Sequence, residues 1–168
     1  ATDGIGNAYV TGRTCSADFP TTADAIKRTI VSCDAFLTRI DTNLSGLASI
    51  AYSTFLGGSG EDNGGIQTTD APYRTGGVAI DSLGSVYLTG NTSQWWTTRG
   101  YTYDFPITPG AYQTVFGWGD FADYYGPTDA FVMKIDGVGP APPVTCASGL
   151  AIVGSVPSFG AGASQAVD

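Results

Sequence analysis

Apolar residues in this chain come in short runs closed by glycine turns. Residues 7–12 read NAYVTG and residues 85–90 read SVYLTG. Both runs are β-branched and aromatic, so both predict strands. Residues 35–40 and 130–135 alternate so that Phe and Leu or Val fall on opposite faces, the pattern of a strand covered on both sides. Residues 49–56 and 77–80 predict further strands, and residues 23–29 predict one short helical turn. A D-x-x-G sequence precedes each of the first two runs. It predicts a turn in which Asp3 or Asp81 caps with its carboxylate and Gly6 or Gly84 takes a positive φ.

The runs repeat in order. DGIGNAYVTG at 3–12 returns as DSLGSVYLTG at 81–90, and Asp18-Phe19-Pro20 returns as Asp104-Phe105-Pro106. PTTADA then matches PITPGA, and CDAFLTRID at 33–41 matches TDAFVMKID at 128–136. Self-similarity of this kind marks a repeat architecture. The second copy is longer through two aromatic-rich insertions, QWWTTRGYTY at 94–103 and FGWGDFADYYGP at 116–127. Between the copies lies SIAYSTFLGGSGEDNGG at 49–65, a strand followed by a Gly-rich acidic loop.

These blocks resemble the SBBP repeat family, named for a seven-bladed β-propeller type; the resemblance runs over residues 1–136. It implies a secreted or surface protein and carries no catalytic residues with it. The expected fold is all-β: two propeller-blade-like antiparallel β-repeats in an open, sandwich-like stack with a C-terminal β tail. About four strands per repeat is the size of a propeller blade. The division predicted is residues 1–48 for the first repeat, 49–136 for the second with its insertions, and 137–168 for a Pro/Gly linker and C-terminal strand. Two blades cannot close a ring, and open sheet edges pair with any strand offered.

Composition narrows the chemistry. Charged residues make up 13% of the 168-residue chain, and 7 basic against 15 acidic residues give a net charge of −8. Phosphate binding needs clustered Lys and Arg, so nucleic acid is not an expected partner. No apolar run approaches the roughly 20 residues of a membrane helix, so no membrane insertion is expected. The absence of His and of any CxxC pair argues against zinc. It also leaves catalysis only carboxylate pairs. Asp18, Asp104, Asp120 and Asp123 lie near aromatics, but Asp18 and Asp104 are repeat positions, as are Asp34 and Asp129, and turn or cap roles suit them better. The expectation is therefore not an enzyme.

Calcium is the one cofactor expected, held by oxygen ligands of Gly-rich loops. The candidates are Glu61, Asp62 and Asn63 in one loop and Asp120 with Asp123 in another; solvated turn carboxylates are the alternative reading. Trp95, Trp96, Tyr101, Tyr103, Trp118, Tyr124 and Tyr125 either form a contact surface for sugar rings or protein, or cap the ends of the stack. Asn43 and Asn91 head N-x-S/T sequons and are glycosylation candidates. Cys15 and Cys33 are gains at repeat positions that hold Ser93 and Thr128 in the second copy. A matched pair of gains predicts a disulfide between them, leaving Cys146 over.

The function expected is an extracellular structural subunit whose partners are copies of itself. It would assemble into a filament or surface layer by strand exchange, with calcium as a stabiliser. The exchanged strand is placed at Leu150, Ala151, Ile152 and Val153, within the uncharged segment after the linker. The alternative is a cell-surface module or propeller fragment that binds carbohydrate, such as surface glycans, or a protein.

Overall fold

The computed structural model describes residues 1–62, 76–93, 95–97, 100–102, 104–117 and 128–139. The strands are β1 (Asn7–Thr14), β2 (Asp34–Asp41), β3 (Ile50–Leu56), β4 (Val78–Ile80), β5 (Val86–Ser93), β6 (Trp95–Thr97), β7 (Gly100–Thr102) and β8 (Thr128–Ile135). They form a three-stranded sheet β1-β2-β3, a second of order β4-β5-β8, and a hairpin β6-β7 inside the first insertion. All pairings are antiparallel. Neither three-stranded sheet closes into a barrel. Among the described residues the protein is all-β, with one 3-10 turn at Gly46–Ser49.

The repeat seen in the sequence is a repeat in space. Asp3 accepts the backbone N–H groups of Ile5 and Asn7, both at 3.0 Å. Asp81 accepts those of Leu83 and Ser85, both at 2.9 Å. Gly6 and Gly84 take φ of 103° and 83°, as the turn requires. The N–H of Ser85, and then that of Leu83, hold the Asp81 carboxyl below the usual carboxylate range. Further along, Phe36 lies opposite Gly12 and Phe131 opposite Gly90. The Phe of each D-F-P block packs on these rings: Phe19 on Phe36 at 4.7 Å between centroids, Phe105 on Phe131 at 4.9 Å.

Burial follows the strand period. Tyr9, Leu37, Tyr52 and Leu56 from the first sheet and Val86, Leu88, Met133 and Ile135 from the second join in one hydrophobic cluster. β2 is the central strand of its sheet, and both Leu37 and Thr38 on its opposite faces are buried. The two repeats therefore share one core.

Two expectations change. The strand at 50–56 pairs with β2, from Ala35↔Leu56 to Ile40↔Ile50, so it belongs to the first sheet and not to the second repeat. Residues 23–29 form no helix; the chain makes a single hydrogen-bonded turn, Ala25 N–H to Thr22 O at 3.2 Å. The segment from Thr22 to Lys27 instead runs along the outer edge of β3: Thr22 N–H donates to Ser53 O at 3.0 Å and Phe55 N–H to Lys27 O at 3.0 Å. Edge N–H groups of β3 left bare would need partners, and this tertiary demand overrides local helix propensity.

Candidate functional site

The chemistry of the described residues gathers at the seam where the first repeat hands over to the second. β3 ends at Leu56 and the chain passes through Gly57, Gly58 and Ser59 toward the second sheet. There the N–H of Ser59 donates to Asp104 Oδ1 at 2.7 Å and its hydroxyl to the same oxygen at 3.0 Å. Gly58 fits because it has no Cβ: one placed there would lie 2.8 Å from the backbone nitrogen of Phe105. The next residues strap the far end of β5. Ser93 donates to Glu61 O from its N–H at 3.0 Å and from its hydroxyl at 2.7 Å. Asp62 bridges to Thr92 and donates its own N–H to Cys33 O at 2.8 Å. Upstream on the same edge, Gly77 and Thr89 exchange backbone hydrogen bonds at 3.1 and 3.0 Å. The outer edge of β5 is thus covered beyond β4.

The matching edge of β1 is not covered in the same way. Ala1 and Tyr9 exchange backbone bonds at 3.0 and 2.8 Å, and Thr2 bridges to Ala8, as Ile80 pairs with Val86 in the second copy. Tyr9 therefore points its backbone groups away from β2. By the alternation of an antiparallel ladder, Thr11 does so as well. Thr89, its counterpart, is bonded to Gly77; Thr11 has no such partner among the described residues. Asp18 shows the same contrast with Asp104. It is exposed, and its carboxylate accepts no hydrogen bond among the described residues.

Beneath the strap lies a buried ionic cluster. Asp34, at the start of β2, and Asp62 are both 0% exposed. Lys27 reaches in from the segment on the β3 edge. Its Nζ donates to Gly57 O at 3.0 Å and Gly58 O at 2.7 Å, and it stands 2.6 Å from Asp34 Oδ2. Neither Asp34 oxygen has a hydrogen bond of ordinary geometry. The Lys27 contact is accordingly a close approach of charges rather than an aligned bond. Burial pushes the Asp34 carboxyl up, against the pull of Lys27. Burial also pushes Asp62 up to about 7, although Thr92 and the N–H of Gly58 favour its charged form. Asp62 Oδ2 accepts from Gly58 N–H at 2.8 Å while Oδ1 is left without a partner.

The predicted disulfide is present: Cys15 and Cys33 are joined with Cα atoms 4.2 Å apart. Their counterparts Ser93 and Thr128 are Cα partners in the second sheet, so the repeat positions meet in both copies. A disulfide belongs to oxidising surroundings, which fits a non-cytoplasmic protein. Among the described residues no helix is long and apolar enough to cross a membrane.

Other predicted positions are less concentrated. The carboxylates of the Glu61–Asp62 loop go to different partners, Glu61 to Arg13 at 2.9 Å and Asp62 inward to Gly58. No group of three or more acidic or Cys side chains converges to hold a metal ion among the described residues. Asn63, Asp120, Asp123, Tyr103, Trp118, Tyr124, Tyr125 and Cys146 lie outside the described residues. So does the proposed assembly strand Leu150, Ala151, Ile152 and Val153, and so do the side chains of Trp95, Trp96 and Tyr101. Asn43 is exposed in the turn after β2, where its N–H donates to Asp41 at 2.9 Å; Asn91 is half-buried within β5.

Sequence reasoning passed over Lys27. The signal lay in the repeat itself: PTTADAIK at 20–27 aligns with PITPGAYQ at 106–113, which sets Lys27 against Gln113 as Asp34 stands against Asp129. In the second copy Gln113 Nε2 donates to Asp129 Oδ2 at 2.8 Å, so the same two positions touch in both. No protein-family model, curated protein or solved structure matches the chain.

Proposed function

We propose that this protein is an extracellular structural subunit that assembles head to tail into a filament or surface layer. One observation carries the reading. The end of the first repeat straps the end of β5 at Ser93 and latches Asp104 through Ser59, while Asp18, the counterpart of Asp104, has no such latch among the described residues. A further repeat unit docked as the first docks on the second would give Asp18 the same latch. Repeating one heterologous contact generates an open array rather than a closed dimer.

The opposite end supports the same arrangement. β2 is flanked by β1 and β3, but its counterpart β8 is flanked only by β5 among the described residues. The segment containing Leu150, Ala151, Ile152 and Val153 is uncharged and β-prone. It is the strand proposed to complete an edge between subunits by β-augmentation. The disulfide and the resemblance to surface repeats favour assembly outside the cell.

The test is negative-stain microscopy and size-exclusion chromatography of the wild type and of Asp18→Ala. The wild type should form fibres or sheets, and the variant should stay monomeric with an unchanged circular dichroism spectrum. A wild type that is monomeric at every concentration, or a variant that assembles equally well, rejects the reading.

A further inference from the structure

The Lys27–Asp34 contact has the components of a self-forming covalent bond. Lys27 Nζ sits 2.6 Å from Oδ2 of a carboxyl that is fully buried and has no aligned hydrogen bond on either oxygen. Two backbone carbonyls, Gly57 O and Gly58 O, hold the nitrogen there. A second buried carboxyl, Asp62, accepts from the N–H of Gly58, the residue whose carbonyl holds Lys27, and its other oxygen is unpartnered. Burying an ion pair whose remaining lone pairs go unsatisfied is unfavourable, whereas a neutral amide at the same place removes both charges. From this geometry we infer that Lys27 and Asp34 condense to an intramolecular isopeptide bond, with Asp62 as the proton carrier.

The step balances without any oxidant, reductant or co-reactant. The ammonium of Lys27 gives a proton to a buried carboxylate, and its free electron pair attacks Cγ of protonated Asp34. The new Nζ–Cγ bond forms as the Cγ–OH bond breaks. Asp62 passes a proton to the departing hydroxyl and takes one back from the nitrogen. One water leaves and a neutral amide remains. Burial favours the protonated carboxyls that this route requires. Once formed, the amide N–H remains beside the carbonyls of Gly57 and Gly58.

The second copy is an internal contrast. Gln113 and Asp129 occupy the same two positions, but a side-chain amide is not a nucleophile like an amine. Asp129 is also satisfied by Gln113 Nε2 at 2.8 Å and Gly117 N–H at 2.6 Å. The bond is therefore confined to the first copy. There it ties the segment covering the β3 edge to the start of the central strand, next to the Cys15–Cys33 disulfide. This inference does not depend on the assembly reading, since it concerns one folded chain.

The experiment is the intact mass of the folded, reduced full chain, followed by peptide mapping. The expected mass is lower than that of the sequence by one water, with a branched peptide joining Lys27 to Asp34. Lys27→Arg, which keeps the positive charge, and Asp34→Ala should each restore the full mass. Asp62→Asn should leave a folded chain that closes slowly or not at all. A wild type of full mass with the Lys27 and Asp34 peptides free overturns the inference. So does a lost water traced to a succinimide at Asp34 with Lys27 unlinked. If Asp62→Asn closes as fast as wild type, the proton-carrier role is overturned on its own.

Discussion

Ser59 of the first repeat grips Asp104 of the second through both its N–H and its hydroxyl, 2.7 and 3.0 Å from the same carboxylate oxygen. Asp104 opens the D-F-P block whose Phe105 packs on Phe131. The contact therefore links the end of one repeat to the framework of the next. Asp18 opens the same block in the first repeat and is gripped by nothing described.

Substituting the two aspartates should separate folding from assembly. Asp104→Ala removes two hydrogen bonds to a charged acceptor at an exposed site and should lower stability by about 1 kcal/mol. Asp18→Ala should leave the stability of the isolated subunit within about 0.5 kcal/mol of wild type, as surface changes usually do. Urea denaturation of dilute protein measures both. Equal losses would mean that Asp18 is used inside its own chain.

Cys15 and Cys33 close a loop with a sequence separation of 18. The chain-entropy estimate for a loop of this size is about 3 kcal/mol. Replacing both cysteines with Ser, which the second copy carries at Ser93, should lower the free energy of unfolding, and with it the denaturation midpoint, by an amount equivalent to about 3 kcal/mol while leaving the strand signal intact. No shift would mean that the loop is held as well by other means, the proposed Lys27–Asp34 bond first among them.

The strands, their turns and the cysteine pair were legible because each depends on local pattern or on comparison between the two copies. The D-x-x-G turns are set by Asp3 and Gly6 alone, and the disulfide by two gains at positions that face each other in any antiparallel pair. The membership of residues 50–56 was not legible, because sequence order does not say which neighbour a strand will choose. Nor was the course of residues 22–27, whose local preference yields to the open N–H groups of β3. The sequence offers Asp62 as a calcium-ligand candidate in a Gly-rich loop, with a solvated turn carboxylate as the alternative. Asp62 turns inward because Gly57 has no Cβ; one there would collide with the Asp62 carboxylate. The meeting of Lys27 and Asp34 follows from these long-range choices.

Leu37 is 0% exposed on the central strand β2 and belongs to the cluster shared by both sheets. Leu37→Ala deletes buried methyl groups and leaves a cavity between two sheets that cannot both relax. The expected loss is about 3 kcal/mol. Val132 on β8 is 68% exposed, and Val132→Ala should change stability by less than about 0.5 kcal/mol. Thermal unfolding of both variants checks the assignment of faces. A larger effect at Val132 than at Leu37 would place the core on the wrong side of the sheets.

The buried carboxyl of Asp62 makes stability depend on pH in a definite direction. Burial raises it from 3.8 to about 7 in the folded chain, whereas the unfolded chain keeps the lower value. Below about pH 4 both states are protonated, and the contribution is fully present. Between pH 4 and 7 the unfolded state has released its proton while the folded state retains it. Folding then takes up a proton, so stability falls as pH rises, by at most about 1.4 kcal/mol per pH unit for one group. Above about pH 7 both states are ionised and this dependence ends. Asp34 is shifted the same way and adds to the slope while it is a free carboxyl; once joined to Lys27 it no longer titrates. Urea midpoints measured from pH 4 to 8 should therefore decline through this window, and Asp62→Asn, which keeps the size of the side chain and cannot ionise, should flatten the decline. A wild-type midpoint that climbs steadily from pH 4 to 7 would mean that Asp62 is charged in the folded protein, contrary to its burial.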